Sequence, residues 1–425
     1  MHLFLAAVPG TIARVMERLT ASTLLALTFA TMASLVIAED PTVSEVAERA
    51  GDKSVSGGAA PPDRARCVAI GDVHGDFSSF RGLLEELRLV DADGHWSGGK
   101  QRLVQTGDIV DRGPDSRAAI ELLMRLEPQA SEVGGQVTVL LGNHEVMNLT
   151  ARMTYVSAEE YAAFASDEST EFRARRRAAI LALIAKGSPL LRSDYYRGLA
   201  RQIHAGSFDR AFPAGYFAHR AAFSPDGKIG RWLLERPFVH KGDGALFVHA
   251  GISPRLAGIP AADLDRLLRD ELREYLDLLG ELVAKQVFDA DLGFDELALL
   301  IESERRAGGP HRDIAAVFAR LARLLSSGLL LAADGPVWYR GLAEGAESTL
   351  ESTVERILEV QDVDRIVVGH TQPKSLRIEG RFGNSVILID TGMNQRFYGG
   401  RPSALLFQPS GSVEVFEPDP KVRAR

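Results

Sequence analysis

The stretch AIGDVHGDFSSF, residues 69–80, ends an apolar run in Gly71-Asp72-Val73-His74-Gly75 and continues into Phe77 and Phe80 at helical spacing. A strand ending this way presents a carboxylate and an imidazole at its mouth, and the flanking glycines let the backbone turn where a Cβ would obstruct it. Further along, residues 67–70 read as a strand and Phe77, Phe80, Leu84 and Leu87 as one face of a helix. Residues 102–106, 118–126 and 137–141 then read as strand, helix and strand. The order β-α-β-α-β predicts an α/β core with its chemistry at the carboxyl ends of the strands.

Each expected strand ends in the same kind of polar cluster. The second is followed by Gly107-Asp108-Ile109-Val110-Asp111-Arg112-Gly113 and the third by Gly142-Asn143-His144-Glu145. Two later apolar runs end in His249-Ala250-Gly251 and Gly369-His370-Thr371. One such cluster arises by chance, and an isolated histidine is usually an ordinary hydrogen-bonded residue. Five in order, each after an apolar strand, imply one convergent site. Oxygen and imidazole donors without a thiolate suit manganese, iron or zinc, and a carboxylate can bridge two ions.

In these motifs the chain resembles the calcineurin-type metallophosphoesterases and, within them, the phosphoprotein phosphatase branch. The run Gly-Asn-His-Glu-Val-Met-Asn at 142–148 is similar to that of the bacterial-type Shewanella-like phosphatases. The resemblance implies a metallophosphoesterase fold over residues 66–425: a central β-sandwich flanked by helices, with helical insertions near 151–200 and 258–330. It also implies two divalent ions (Mn, Fe or Zn), the first held by Asp72, His74 and Asp108, the second by Asp108, Asn143, His249 and His370. A water activated by both ions would attack phosphorus. His144, oriented by Asp111, would protonate the leaving oxygen, and Arg112 would clamp the phosphoryl group. Arg340 has two readings, a second phosphate-binding arginine or a structural one stacked on Trp338. Where eukaryotic members usually carry Arg before the Gly-Asn-His-Glu run, this chain has Leu141. Gly369-His370-Thr371-Gln372 lacks the second histidine that many diesterases of the superfamily carry there. The expected activity is therefore phosphomonoester hydrolysis of phosphoproteins, on serine/threonine or tyrosine. The alternative is a small phosphorylated metabolite or a dinucleoside polyphosphate, and a metal-binding protein without activity is the third reading.

The chain has 425 residues, 45% of them apolar, enough for a sizeable core. Arg14 and Arg18 precede an apolar run from Leu24 to Ile37, and the segment closes on Val36-Ile37-Ala38. This pattern predicts a signal peptide over residues 1–38 and export, to the periplasm; a retained membrane anchor and a later start at Met16 are the alternatives. Residues 39–65, with Ser56-Gly57-Gly58 and Pro61-Pro62, read as a linker. Residues 1–38 hold Arg14, Glu17 and Arg18, a net +1, so removing them takes the formal charge from −8 to −9. So acidic a chain makes a poor partner for nucleic acid. The single Cys67 cannot form an intramolecular disulfide and reads as a buried structural thiol.

Leu264, Leu268, Leu272, Tyr275, Leu279 and Leu282 share one helical face, as do Ile314, Phe318, Leu321 and Leu325, and read as core. Arg173, Arg175, Arg176 and Arg177 read as a solvated helix face. His204, His219, His240 and His311 lie outside any ligand motif.

Overall fold

The computed structural model describes residues 65–204 and 206–418; the expected signal peptide and all but the last residue of the expected linker lie outside them. Ten strands occur among the described residues: β1 (Cys67–Ile70), β2 (Arg102–Gln105), β3 (Gln136–Val139), β4 (Val239–Gly242), β5 (Ala245–Val248), β6 (Arg365–Val368), β7 (Glu379–Arg381), β8 (Val386–Leu388), β9 (Ala404–Phe407) and β10 (Val413–Phe416). They form two five-stranded mixed sheets, in the orders β10-β9-β1-β2-β3 and β4-β5-β6-β8-β7. In the first, β1, β2 and β3 run parallel, Val68 facing Leu103 and Leu103 facing Val137. In the second, β5, β6 and β8 run parallel.

Side chains alternate across each strand, and both faces of the inner strands β1, β5 and β9 are buried. Cys67, Ala69, Val104, Phe247, Val367, Ile387 and Phe407 form the core between the sheets. Their neighbours Val68, Ile70, Leu103, Leu246, Val248, Ile366 and Val368 join the core under the flanking helices. Burial on two faces is why these strands read as unbroken apolar runs rather than alternating ones. The expected sandwich flanked by helices is the observed one, and Cys67 is buried in it.

Local chemistry sets the turns. Asp243 and Gly244, at φ 57° and 75°, join β4 to β5, the left-handed pair that a tight two-residue hairpin requires. Asp76 accepts from the Ser79 amide at 3.0 Å and so caps the helix Phe77–Glu86 behind β1.

Helices fill the two long connections. Those between β3 and β5 run beyond the expected limit of 200, through Tyr216–Phe223 to Lys228–Leu234. Between β5 and β6 lie Ala261–Ala284, Phe294–Arg306, Arg312–Ser327 and Glu347–Gln361. Helices from both connections share a core of their own, with Ile180, Leu199 and Phe217 from the first and Leu282, Leu300 and Phe318 from the second. The 24-residue helix Ala261–Ala284, about 36 Å long at 1.5 Å per residue, links the two cores. Its expected apolar face is buried throughout, but Leu264, Leu268 and Leu272 join the core under the flanking helices while Tyr275, Leu279 and Leu282 join the helical one.

The arginine run differs from expectation. Arg173 pairs with Glu168 and Asp209 at 2.7 Å each, and Arg176 reaches across to Asp289 (2.6 Å) and Asp291 of the other connection. Arg177 lies over the Phe208 ring at 5.1 Å, so at least three of the four arginines reach from their helix to residues outside it.

Candidate metal centre and active site

The loops after β1, β2, β3, β5 and β6 converge, bringing Asp72, His74, Asp108, Asp111, Arg112, Asn143, His144, His249 and His370 into one buried cluster rimmed by the arginine. A sixth loop, after β8, adds Asp390. Its signal is in the sequence: Val386-Ile387-Leu388-Ile389 followed by Asp390-Thr391-Gly392 repeats the pattern of an apolar strand, a carboxylate and a glycine.

The backbone here is unusual. His74, Asp108, Asp111, Arg112 and His370 adopt left-handed conformations, at φ 48°, 55°, 70°, 70° and 65°, each costing a side-chain-bearing residue on the order of 1 kcal/mol. The surroundings enforce them. The amides of Val73 and His74 both donate to the Asp108 carbonyl at 2.9 Å, and the Gly75 amide to the Ile109 carbonyl at 2.8 Å. The fully buried Glu145 carboxylate accepts from the amides of Asp108 (2.8 Å), Ile109 (2.8 Å) and Gly142 (2.9 Å). Glycine is required at 107, at φ 96°, where a Cβ would lie 2.4 Å from the Gly142 nitrogen.

Asp108 occupies the centre. Its Oδ2 lies 3.7 Å from His74 Nε2, 3.3 Å from His249 Nε2 and 3.8 Å from His144 Nε2. Two buried groups of candidate ligands share it, His74–Asp108–His144 and Asp108–His249–His370. Asp72 Oδ2 lies 3.8 Å from His74 Nε2, and its carboxylate accepts from the His370 amide at 3.0 Å. Asn143 Oδ1 lies 3.0 Å from His249 Nε2.

The donor set fits two divalent ions. His74 Nδ1 faces the Val110 carbonyl at 3.1 Å and His249 Nδ1 the Thr106 carbonyl at 2.9 Å. A carbonyl only accepts, so each Nδ1 carries a proton and each Nε2 is the nitrogen turned into the cluster. His370 Nε2 is buried with no hydrogen-bond partner. Burial and then the neighbouring Asp390 and Asp108 push Asp72 well above the usual carboxylate range, and burial raises Asp390 to about 6. Buried carboxylates this close together suit a site that binds cations.

His144 belongs to another arrangement. Its Nδ1 lies 2.6 Å from Asp111 Oδ2, while Asp111 Oδ1 accepts from Asn148 Nδ2 at 2.9 Å. Burial works against the imidazolium, yet the Asp108 and Asp111 carboxylates lift its pKa above the ordinary value. Arg112 Nη2 lies 3.4 Å from His144 Nε2. Its guanidinium is ringed by Tyr155, Phe397 and Tyr398, with centroids at 4.8, 5.0 and 5.2 Å. No sequence pattern marks these aromatic residues: Tyr155 lies in the connection after β3, and the adjacent Phe397 and Tyr398 end the short helix Gln395–Tyr398.

The cluster opens into a cavity of about 220 Å³ lined by both arginines, His74, His144, Tyr155, Trp338 and Tyr398 among others. Arg340 lies on its wall and donates from Nη1 to the His370 carbonyl and the Thr371 hydroxyl at 3.0 Å each.

This combination of a two-sheet sandwich and a strand-end cluster of carboxylates and imidazoles defines a metallophosphoesterase. The chain belongs to the calcineurin-like phosphoesterases, whose family model matches residues 65–275. It is similar to Shewanella-like protein phosphatase 2 of Arabidopsis thaliana, 26% identical over 84% of this chain and 78% of that protein. It is similar also to the symmetrical bis(5'-nucleosyl)-tetraphosphatase of Chromohalobacter salexigens, 25% identical over 71% of this chain and 81% of that one. The crystal structure of a cold-active protein-tyrosine phosphatase of a psychrophilic Shewanella shares the fold, with a TM-score of 0.50 at 23% identity over 83% of this chain and 80% of that one.

Proposed function

We propose that the chain is a metal-dependent phosphomonoester hydrolase acting on phosphoproteins. The observation that carries this reading is the position of His144 Nε2, 3.8 Å from the shared carboxylate Asp108 and 3.4 Å from the Arg112 guanidinium. A proton donor, an anion clamp and a cation site thus meet at one point.

Asp72, His74 and Asp108 would hold one ion, and Asp108, Asn143, His249 and His370 the other. Manganese, iron or zinc bound there supplies Lewis acidity that lowers the pKa of a water nucleophile and neutralises phosphoryl charge. The protein does the rest. Arg112 grips two phosphoryl oxygens and meets the charge that grows in the transition state. His144 gives its Nε2 proton to the leaving oxygen, and Asp111 fixes the Nδ1 proton and stabilises the imidazolium. Arg340 offers a second guanidinium from the cavity wall.

Tyr155, Trp338 and Tyr398 line the cavity, an apolar wall that favours an aryl ester such as phosphotyrosine. A small nucleotide or phosphorylated metabolite is the second reading, supported by the likeness to the tetraphosphatase. Turnover of phosphopeptides, nucleotides and phosphosugars, measured with each metal supplied, separates them: preference for peptides supports the first reading, preference for nucleotides the second. Export is part of the proposal and rests on the basic flank and apolar run before Ala38.

A further inference from the structure

Behind the Asp111–His144 pair lies a second buried acid and base that the mechanism leaves unused. Glu160, on the short helix Ala158–Ala162, and His219, on the helix Tyr216–Phe223, are both fully buried. His219 Nε2 lies 3.4 Å from Glu160 Oε1. Neither the carboxyl oxygens of Glu160 nor the ring nitrogens of His219 reach full hydrogen-bond geometry with any partner. An acid and a base sealed in this way are costly to keep, and apolar side chains would pack the site more cheaply. The imidazole is walled by Tyr161, Phe164 and Phe223, with ring centroids at 5.3, 5.0 and 4.5 Å.

The pair is aimed at the active site. The Glu160 carboxyl faces the Ser116 hydroxyl and the Asp111 amide, and the Asp111 amide donates to Ser116 Oγ at 3.0 Å. Buried polar groups are thus stacked in order from His219 to Glu160, which faces Ser116 and the Asp111 amide, while the Asp111 carboxylate reaches on to His144. The neighbouring Arg220 donates from Nη1 to the Asn148 carbonyl at 2.8 Å, and Asn148 holds the other oxygen of Asp111.

We propose that Glu160 and His219 are positioning residues, through which the helical connection after β3 fixes the orientation of Asp111 and so aims His144 at the leaving oxygen. The protonation states agree with such a role. Burial, then the charge of Asp111, pushes Glu160 well above the usual carboxylate range, and burial followed by Arg220 pushes His219 well below the usual histidine range. A neutral acid beside a neutral imidazole places no second anion next to Asp111, whose charge stays directed at His144.

The inference rests on His144 being the general acid, and the test keeps the two apart. Proton donation matters most when the leaving group is a poor one. The readout is therefore the ratio of kcat on phenyl phosphate to kcat on dinitrophenyl phosphate, for the full chain loaded with manganese, with metal content and Tm measured alongside. His219→Phe, which fits the aromatic walls, and Glu160→Ala are each expected to lower the ratio about tenfold, the scale of a misaimed rather than missing acid. Glu160→Gln, neutral and of the same shape, is expected to keep the wild-type ratio. His144→Asn is run in the same series and should lower the ratio further. If it does while His219→Phe and Glu160→Ala lose activity equally on both esters, or lose none, the positioning role is overturned and the general acid stands. If His144→Asn leaves the ratio unchanged, the acid assignment and the positioning role fall together.

Discussion

Asp111 Oδ2 lies 2.6 Å from His144 Nδ1, with both side chains buried. Asn148 occupies the other Asp111 oxygen, so the carboxylate cannot rotate without losing a hydrogen bond. The imidazole is thereby fixed with Nε2 toward the cavity, which is the orientation a proton donor needs. His144→Asn should keep two metal ions per chain, since its proposed role is not that of a ligand. Turnover of an aryl phosphate should fall by about 10²–10⁴-fold, the usual loss for a missing general acid. Metal analysis and steady-state kinetics on one preparation check both halves, and a variant depleted of metal would reassign His144 as a ligand.

Asp108 behaves differently because its carboxylate is shared by both candidate ligand groups. Asp108→Asn removes a negative charge from two sites at once, and activity and metal occupancy should collapse together. Two ions retained with near-normal turnover would dismiss the shared site. Stripping the wild-type protein with a chelator should lower Tm, because bound ions stabilise the folded chain and the buried carboxylates Asp72 and Asp390 are then left facing one another. A second addition of manganese should restore it.

Glu145 carries a prediction about stability. It is buried and accepts from four backbone amides, those of Asp108, Ile109 and Gly142 and, more weakly at 3.3 Å, Val110. Glu145→Ala strands those donors, each costing on the order of 1 kcal/mol or more, so a loss of about 3 kcal/mol or more is expected in denaturant unfolding. Loss below about 1 kcal/mol would mean that these amides find water or other partners.

Why some of this was legible and some was not follows from where each residue sits. Asp72, His74, Asp108, Asn143, His249 and His370 each stand within a few positions of an apolar run, so the strand and its candidate ligand are read together. Asp390 carries the same signature after β8 and is recoverable by the same reasoning. Tyr155, Phe397 and Tyr398 surround Arg112 only through tertiary packing, and no local pattern encodes that. The helix Ala261–Ala284 displays its apolar face in the sequence, but periodicity says nothing about what a face packs against, and here it is divided between two cores. His219 resembles any lone histidine until Glu160 is seen 3.4 Å away.

Export has a direct test. If residues 1–38 are a signal peptide, chain recovered from the envelope of the source cell should begin at or near Glu39, by N-terminal sequencing or intact mass. Chain beginning at Met1 or Met16 in the cytosol would end that proposal.

The ester type turns on Arg112. Its guanidinium is held among three aromatic rings and lies beside the proposed acid, so it is already oriented before substrate arrives. A phosphomonoester dianion offers three free oxygens, of which a planar guanidinium can grip two; a diester offers fewer and carries less charge. The motif at Gly369-His370-Thr371-Gln372 adds no further histidine beyond His370. Wild-type protein should therefore show a higher kcat/KM for an aryl phosphomonoester than for the matching diester. Arg112→Ala should lower kcat/KM on the monoester by about 10²-fold or more, and on the diester by a much smaller factor. The comparison within one variant matters more than either absolute rate, because a general loss of folding or metal would lower both alike. A wild-type preference for the diester, or equal losses on the two esters, would overturn the monoesterase reading while leaving the metal centre untouched.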